Sequence, residues 1–127
     1  MKLSDIIKKY ACHVYTPSLL MEKEVSYAFC ADLMSDALMV LNSVKDDRVL
    51  EECMLITGLT TNQSIRTAEM LDIDVVLLVR GKIPSTKVIE LAIESNILLL
   101  STNYTMFNTS GMMYQDGIKG VITNQQW

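Results

Sequence analysis

The sequence predicts an α/β fold, a three-layer α/β/α sandwich on a mostly parallel central sheet. Three observations lead there. The runs IDVVLLV at 73–79 and ILLLST at 97–102 are nearly continuous aliphatic residues, as in strands covered on both faces. Between such runs lie segments with apolar residues at helical spacing, as at Met34, Ala37, Leu38, Leu41 and Val44. The connections are short, and strand, helix, strand alternation with short connections specifies βαβ units and a parallel sheet.

Residues 3–10 place Leu3, Ile6, Ile7 and Tyr10 on one helical face, with Ser4 as a candidate cap. CHVYT at 12–16 is a brief strand stopped by Pro17, and VSYAFCAD at 25–32 reads as the next. The helix from Met34 ends in the charged run Lys45, Asp46, Asp47, Arg48. ECMLITG at 52–58 is a strand, and Thr61 or Asn62 caps a helix that turns Ile65, Ala68 and Leu71 inward. After the run at 73–79, Arg80, Gly81 and Lys82 turn the chain, and Pro84 and Ser85 open a helix through Ser95. After ILLLST, Asn103 caps a last helix with Met106, Phe107, Ser110 and Tyr114 on one side, and VIT at 121–123 closes the sheet. The expected organisation is one domain over 1–122 with a short tail at 123–127.

The chain has 127 residues, half of them hydrophobic, enough for one domain with a proper core. A net charge of -4 with 20% charged residues offers no basic surface for nucleic acid or an anionic membrane, and neither is expected as a partner. No apolar segment approaches the ~20 residues of a membrane span, and Asp5, Lys8 and Lys9 interrupt any signal-peptide core, so a cytoplasmic location is expected. Cys12, Cys30 and Cys53 are widely spaced in apolar surroundings, which suits small buried thiols rather than disulfides.

Catalytic sets are sparse. His13 is the only histidine, set on a short strand between Cys12 and Val14, and reads as a packed structural residue. Three scattered cysteines with no C-x-x-C pair do not supply a zinc or iron–sulfur site, so no metal or cofactor is expected. Gly81 followed by Lys82 and Ile83 lacks the upstream glycine and the hydroxyl of a P-loop, and no GxGxxG occurs. An enzyme built on Asp32, Asp36 and a divalent ion would hold its metal poorly, because two carboxylates without further ligands bind magnesium weakly.

What remains is positional. In an open parallel sheet, ligands bind beyond the carboxyl ends of the strands, where helix N-termini present unpaired N–H groups. Asp32 ends one strand, with Ser35 and Asp36 in the helical turn that follows. Gly58, Thr60, Thr61 and Asn62 follow the next strand, Arg80 and Gly81 the one after, and Ser101, Thr102 and Asn103 the last. Singly, each is explained as a cap or turn residue. Together they are the candidate ligand-binding set, suited to a small anion such as a nucleotide. Asp32 at a strand exit and Asp36 at the positive end of a helix dipole need no catalytic role.

The order VSYAFCADLMSDALMVL, then ECMLITGLTTNQSIRTAEMLDIDVVLLVRGKIPSTKVIELAIESNILLLSTNYTMF, resembles the DRTGG domain, in particular its short stand-alone members. The most distinctive parts are Asp32-Leu33-Met34-Ser35-Asp36, LITG at 55–58, Ile73 to Val79 with Gly81, the Pro84 helix, and LLST before Asn103 and Tyr104. The resemblance implies a fold similar to the N-terminal domain of HPr kinase/phosphorylase, with no active site of its own. Fused DRTGG domains stand beside adenylate-binding CBS pairs in regulatory pyrophosphatases, where they look like oligomerisation or regulatory modules. Stand-alone members in anaerobic bacteria are often encoded near iron-only hydrogenase subunits, which implies a link to hydrogenase or redox metabolism. The chain departs from the family at two turns: Thr60-Thr61-Asn62 replaces an Asp-Arg-Thr-like turn, and Arg80-Gly81 a Thr-Gly-Gly-like one.

The reading that follows is a non-catalytic regulatory or protein-interaction domain that self-associates as a homo-oligomer, a dimer or higher. Nine methionines suit adaptable contact surfaces as well as cores. The alternative is a domain that senses an adenylate-type nucleotide or other small anion at the carboxyl ends of the parallel strands.

Overall fold

The computed structural model describes residues 1–121. In chain order the elements are α1 (Leu3–Lys9), β1 (His13–Val14), a 3₁₀ turn (Pro17–Leu19), β2 (Tyr27–Cys30), α2 (Met34–Leu41), α3 (Asp47–Glu51), β3 (Cys53–Thr57), α4 (Asn62–Met70), β4 (Val75–Leu78), α5 (Thr86–Glu94), β5 (Leu98–Ser101), α6 (Met106–Gln115) and β6 (Lys119–Gly120). They form a six-stranded sheet in the order β1-β5-β4-β3-β2-β6, parallel throughout except for β1, which runs antiparallel to β5.

Successive strand residues point to opposite faces, so each central strand feeds two cores. On one face Cys53, Leu55, Val76, Leu78 and Leu99 meet α2, α4 and α5 through Met34, Leu41, Ile65, Ala68, Val88 and Leu91. On the other, Met54, Ile56, Val75, Leu77, Leu98 and Leu100 meet α1 and α6 through Leu3, Ile6, Tyr10 and Met113. This is the expected three-layer α/β sandwich, and it explains why β3, β4 and β5 are buried along their whole length. Each fully buried Leu or Ile contributes roughly 1.5–3 kcal/mol.

Helix ends are made locally. α1, α4, α5 and α6 each end with a left-handed residue, Ala11, Asp72, Asn96 and Gly117. The next residue, Cys12, Ile73, Ile97 or Ile118, donates its N–H to the carbonyl of Ile7, Ala68, Ala92 or Met113 at 2.8–3.0 Å. This is the Schellman closure, and its following apolar residue turns straight into the core. At the amino edge of the sheet, Lys23 Nζ pairs with Asp74 Oδ1 at 2.6 Å and donates to Glu51 O at 2.7 Å.

Several sequence expectations are displaced. The charged run at 45–48 is not simply the end of a helix: Asp46 accepts from Arg48 N–H at 3.0 Å and starts α3. Ser4 does not cap α1; Lys2 holds the cap position, and the Ser4 hydroxyl donates to Glu22 at 2.7 Å. Thr105, not Asn103, caps α6 by accepting from Asn108 N–H. The face of α6 turned inward carries Met106, Thr109 and Met113, while Phe107 and Tyr114 point outward. Of the three cysteines, all free, Cys53 is buried, Cys12 half-buried and Cys30 exposed; Cys30 ends β2 beyond Tyr27 and Ala28, the two residues that pair with β6. His13 is exposed, its ring centroid 4.3 Å from that of Tyr15. The closing strand is Lys119–Gly120; most of the expected VIT run and the tail at 123–127 lie outside the described residues. Among the described residues no helix is long and apolar enough to cross a membrane.

Candidate functional site

The parallel strands all deliver their carboxyl ends to one rim. After β2 the chain reaches Asp32, whose Oδ1 accepts the Gly58 N–H at 2.7 Å and lies 3.5 Å from the Thr57 hydroxyl. Gly58 follows β3. A Cβ built there would stand 3.2 Å from Asp32 Oδ1 and 3.5 Å from Arg80 Nη2. Asp32, Gly58 and Arg80, from three adjacent strands, therefore converge on one point, and a side chain at position 58 would press on the Asp32 carboxylate.

Arg80 and Gly81 both take left-handed backbone angles, φ 63° and 65°. Among the described residues Arg80 is the one non-glycine residue of that kind away from a helix end. Its N–H donates to Tyr104 O at 2.8 Å, and Gly81 N–H donates to Thr102 O at 2.9 Å. The left-handed turn aims both amides at the neighbouring loop. Arg80 is exposed and forms no ion pair among the described residues.

That neighbouring loop matters because of the topology. The connection after β4 leads to α5 on one face, and the connection after β5 leads to α6 on the other, so the switch point lies between β4 and β5. Here the crevice is bridged by the two backbone bonds, and the site of a Gly81 Cβ lies 3.0 Å from Asn103 Oδ1. The usual ligand cleft is narrowed by the chain itself.

The remaining sequence candidates separate. Thr60 is half-buried and Thr61 and Asn62 exposed at the start of α4, where the Thr61 side chain makes no capping bond. Ser64 Oγ instead lies 2.8 Å from Leu59 O and 2.9 Å from Thr61 O, which share its single hydroxyl proton. Ser35 and Asp36 are exposed in the first turn of α2. Ser101 and Thr102 turn inward: Thr102 Oγ1 donates to Tyr10 O at 2.8 Å, and Ser101 Oγ lies 3.4 Å from the Tyr15 hydroxyl. Strand alternation sends Thr102 toward α1 and Ser101 toward Tyr15 on the opposite face, so neither side chain joins Arg80 at the rim.

The polar pattern missed what else the strand-end loops carry. Leu33, Ile83 and Tyr104 are exposed there, and Phe107 is exposed in the first turn of α6 just beyond. Their signal in the sequence was large apolar residues at turn and first-turn positions, where solvent exposure follows from location. Cys30 lies 3.1 Å from Ser110 Oγ; burial around the sulfur pushes its thiol pKa up, partly opposed by that hydrogen bond. A groove of about 420 Å³ lies away from the rim, lined by Ile7, Val14, Leu20 and Met21 with Ser4 and Glu22.

No protein-family model matches the chain, and no curated protein does. A solved structure matches: the CBS and DRTGG domains of the regulatory region of Clostridium perfringens pyrophosphatase, complexed with its activator diadenosine tetraphosphate. The TM-score is 0.62 at 17% identity, over 91% of this chain and 47% of that one. This chain thus spans about half the length of the pyrophosphatase regulatory region, and the likeness is one of fold, shared with a chain that carries CBS and DRTGG domains.

Proposed function

We propose that the chain is a regulatory domain that acts by self-association rather than by catalysis. The observation that carries this reading is the state of the rim. The switch-point crevice is bridged by the Arg80 and Gly81 amides, Asp32 is engaged with Gly58, and the loops around them expose Leu33, Ile83 and Tyr104, with Phe107 exposed in the first turn of α6 that follows. Such a surface suits contact with another protein better than enclosure of a reacting molecule. The fold likeness to a pyrophosphatase regulatory region supports the same reading. Size-exclusion chromatography with light scattering tests it: the mass should rise toward twice 14.3 kDa as concentration increases. A monomer mass at every concentration would contradict it.

A second reading, nucleotide or small-anion sensing at the rim, is favoured by one feature. The Arg80 guanidinium lies beside Gly58, next to an α4 start whose Thr61 side chain leaves the first N–H groups uncapped. The pyrophosphatase regulatory region, about half of which shares the fold, was solved in complex with diadenosine tetraphosphate. A ligand that binds only the folded chain raises its stability, by ~2.7 kcal/mol at a hundred times Kd. Thermal unfolding with ATP, ADP, AMP and diadenosine tetraphosphate should show a concentration-dependent rise; none with any of them would remove this reading.

A further inference from the structure

α6 reads MFNTSGMMYQ, and it is the only α-helix among the described elements with no charged side chain. In a chain that is 20% charged this is unusual for a helix with a solvent face. Its inner face carries Met106, Thr109 and Met113. Its outer face carries Phe107, 85% exposed, and Tyr114, 75% exposed, with exposed Gly111 between them. At 100° per residue these three fall within an arc of about 60°, and the two aromatics stand about 10 Å apart along the axis.

Gly111 is not required by this chain alone. No described residue lies within 4 Å of the position its Cβ would take, and its φ is not positive. A mid-helix glycine without such a reason costs helix stability. What a glycine permits is close approach of a second backbone, since the separation of packed helices is set by the side chains at their contact.

We infer that the outer face of α6 is the surface through which two copies of this chain pair, the helices crossing at Gly111 about a two-fold axis. The inference rests on the self-association proposed above and names its surface. A two-fold interface must be self-complementary. Phe107 and Tyr114 flank Gly111 by four and three residues, so an antiparallel crossing sets Phe107 against the partner's Tyr114 and Tyr114 against the partner's Phe107. Charge argues for a second copy as well. Each chain carries -4, and an uncharged helix lets two like-charged molecules meet without burying an unpaired or repelling charge. The four aromatic rings bury about 600–1,000 Å², a large share of the roughly 1,200–2,000 Å² of a stable interface.

Sedimentation velocity on the wild type, Phe107→Glu and Gly111→Leu tests this, with thermal melts at high dilution as a control of folding. The wild type should dimerise, and both variants should dissociate at concentrations at least tenfold higher. The dilute Gly111→Leu monomer should melt no lower than the wild type, since leucine is the better helix former. A Gly111→Cys chain in a Cys30→Ser background should form a disulfide dimer under mild oxidation, because residue 111 would face itself across the axis. A wild type that dimerises while the variants dimerise equally well, or a Gly111→Cys chain that stays uncrosslinked, overturns the surface and leaves self-association standing. A wild type that is monomeric throughout removes both.

Discussion

The Gly58 amide donates to Asp32 Oδ1 across 2.7 Å and ties the exit of β2 to the exit of β3. The aspartate is thus a strap between neighbouring strand ends. Asp32→Ala should lower stability by about 1 kcal/mol, below the roughly 1.5–3 kcal/mol of a hydrogen bond to a charged group because the site is exposed. Asp32→Asn, which keeps an acceptor, should lose less. Urea unfolding checks both: the midpoint should fall with an unchanged slope.

Arg80 holds a left-handed conformation that costs a non-glycine residue about 1 kcal/mol. Arg80→Gly should therefore stabilise the chain by up to that amount while removing the rim's free guanidinium. If the nucleotide reading holds, the same variant loses the ligand-induced rise in melting temperature, and Arg80→Lys retains part of it. Stability and ligand response moving in opposite directions would separate strain from binding.

Thr109 is fully buried on α6, and its hydroxyl has no hydrogen-bond partner among the described residues. A buried polar group left unpaired costs about 1–3 kcal/mol, and valine has nearly the same shape. Thr109→Val should raise stability by about 1 kcal/mol in chemical denaturation. An unchanged or lower midpoint would mean that the hydroxyl is satisfied in solution.

Burial pushes the Cys53 thiol from its ordinary 9.0 up to about 12, and that of Cys12 up to about 11. The folded chain therefore keeps these thiols protonated where the unfolded chain ionises them. Stability from this source is fully present below pH 9 and declines as pH rises toward 11 and 12. Cys53→Ala should be less stable at neutral pH, through the lost packing, yet show a shallower decline above pH 9. At the acid end, the Lys9 contact and then the Tyr10 hydroxyl hold Asp116 below its ordinary 3.8, so its contribution is lost as pH falls through that region. Asp116→Asn should flatten the acid limb.

How much of this was legible in the sequence depends on the residue. Val75–Leu78 and Leu98–Ser101 were readable because helices cover both faces, which removes polar alternation. Ser85 was readable as the start of α5, where it accepts from Val88 N–H. Asp46 carried a cap signal for α3 that the surrounding charges masked. The rim was legible as a location, since parallel strands bring Asp32, Gly58 and Arg80 to the same edge. Side-chain direction was not: a shift of one residue in a strand reverses the face, and this sends Thr102 to Tyr10 rather than to Arg80. The outward Phe107 and Tyr114 were hidden because apolar identity suggests burial, and only packing of α6 on the sheet shows which face remains open.

A residue-resolved dilution series by two-dimensional NMR tests the central claim most directly. The account predicts that amide signals of Phe107, Gly111 and Tyr114 shift and broaden as concentration rises, while those of Arg66, Lys87 and Ile93, exposed on α4 and α5 across the sheet, stay in place. Spectra that do not change with concentration, with relaxation fitting one chain, would contradict it.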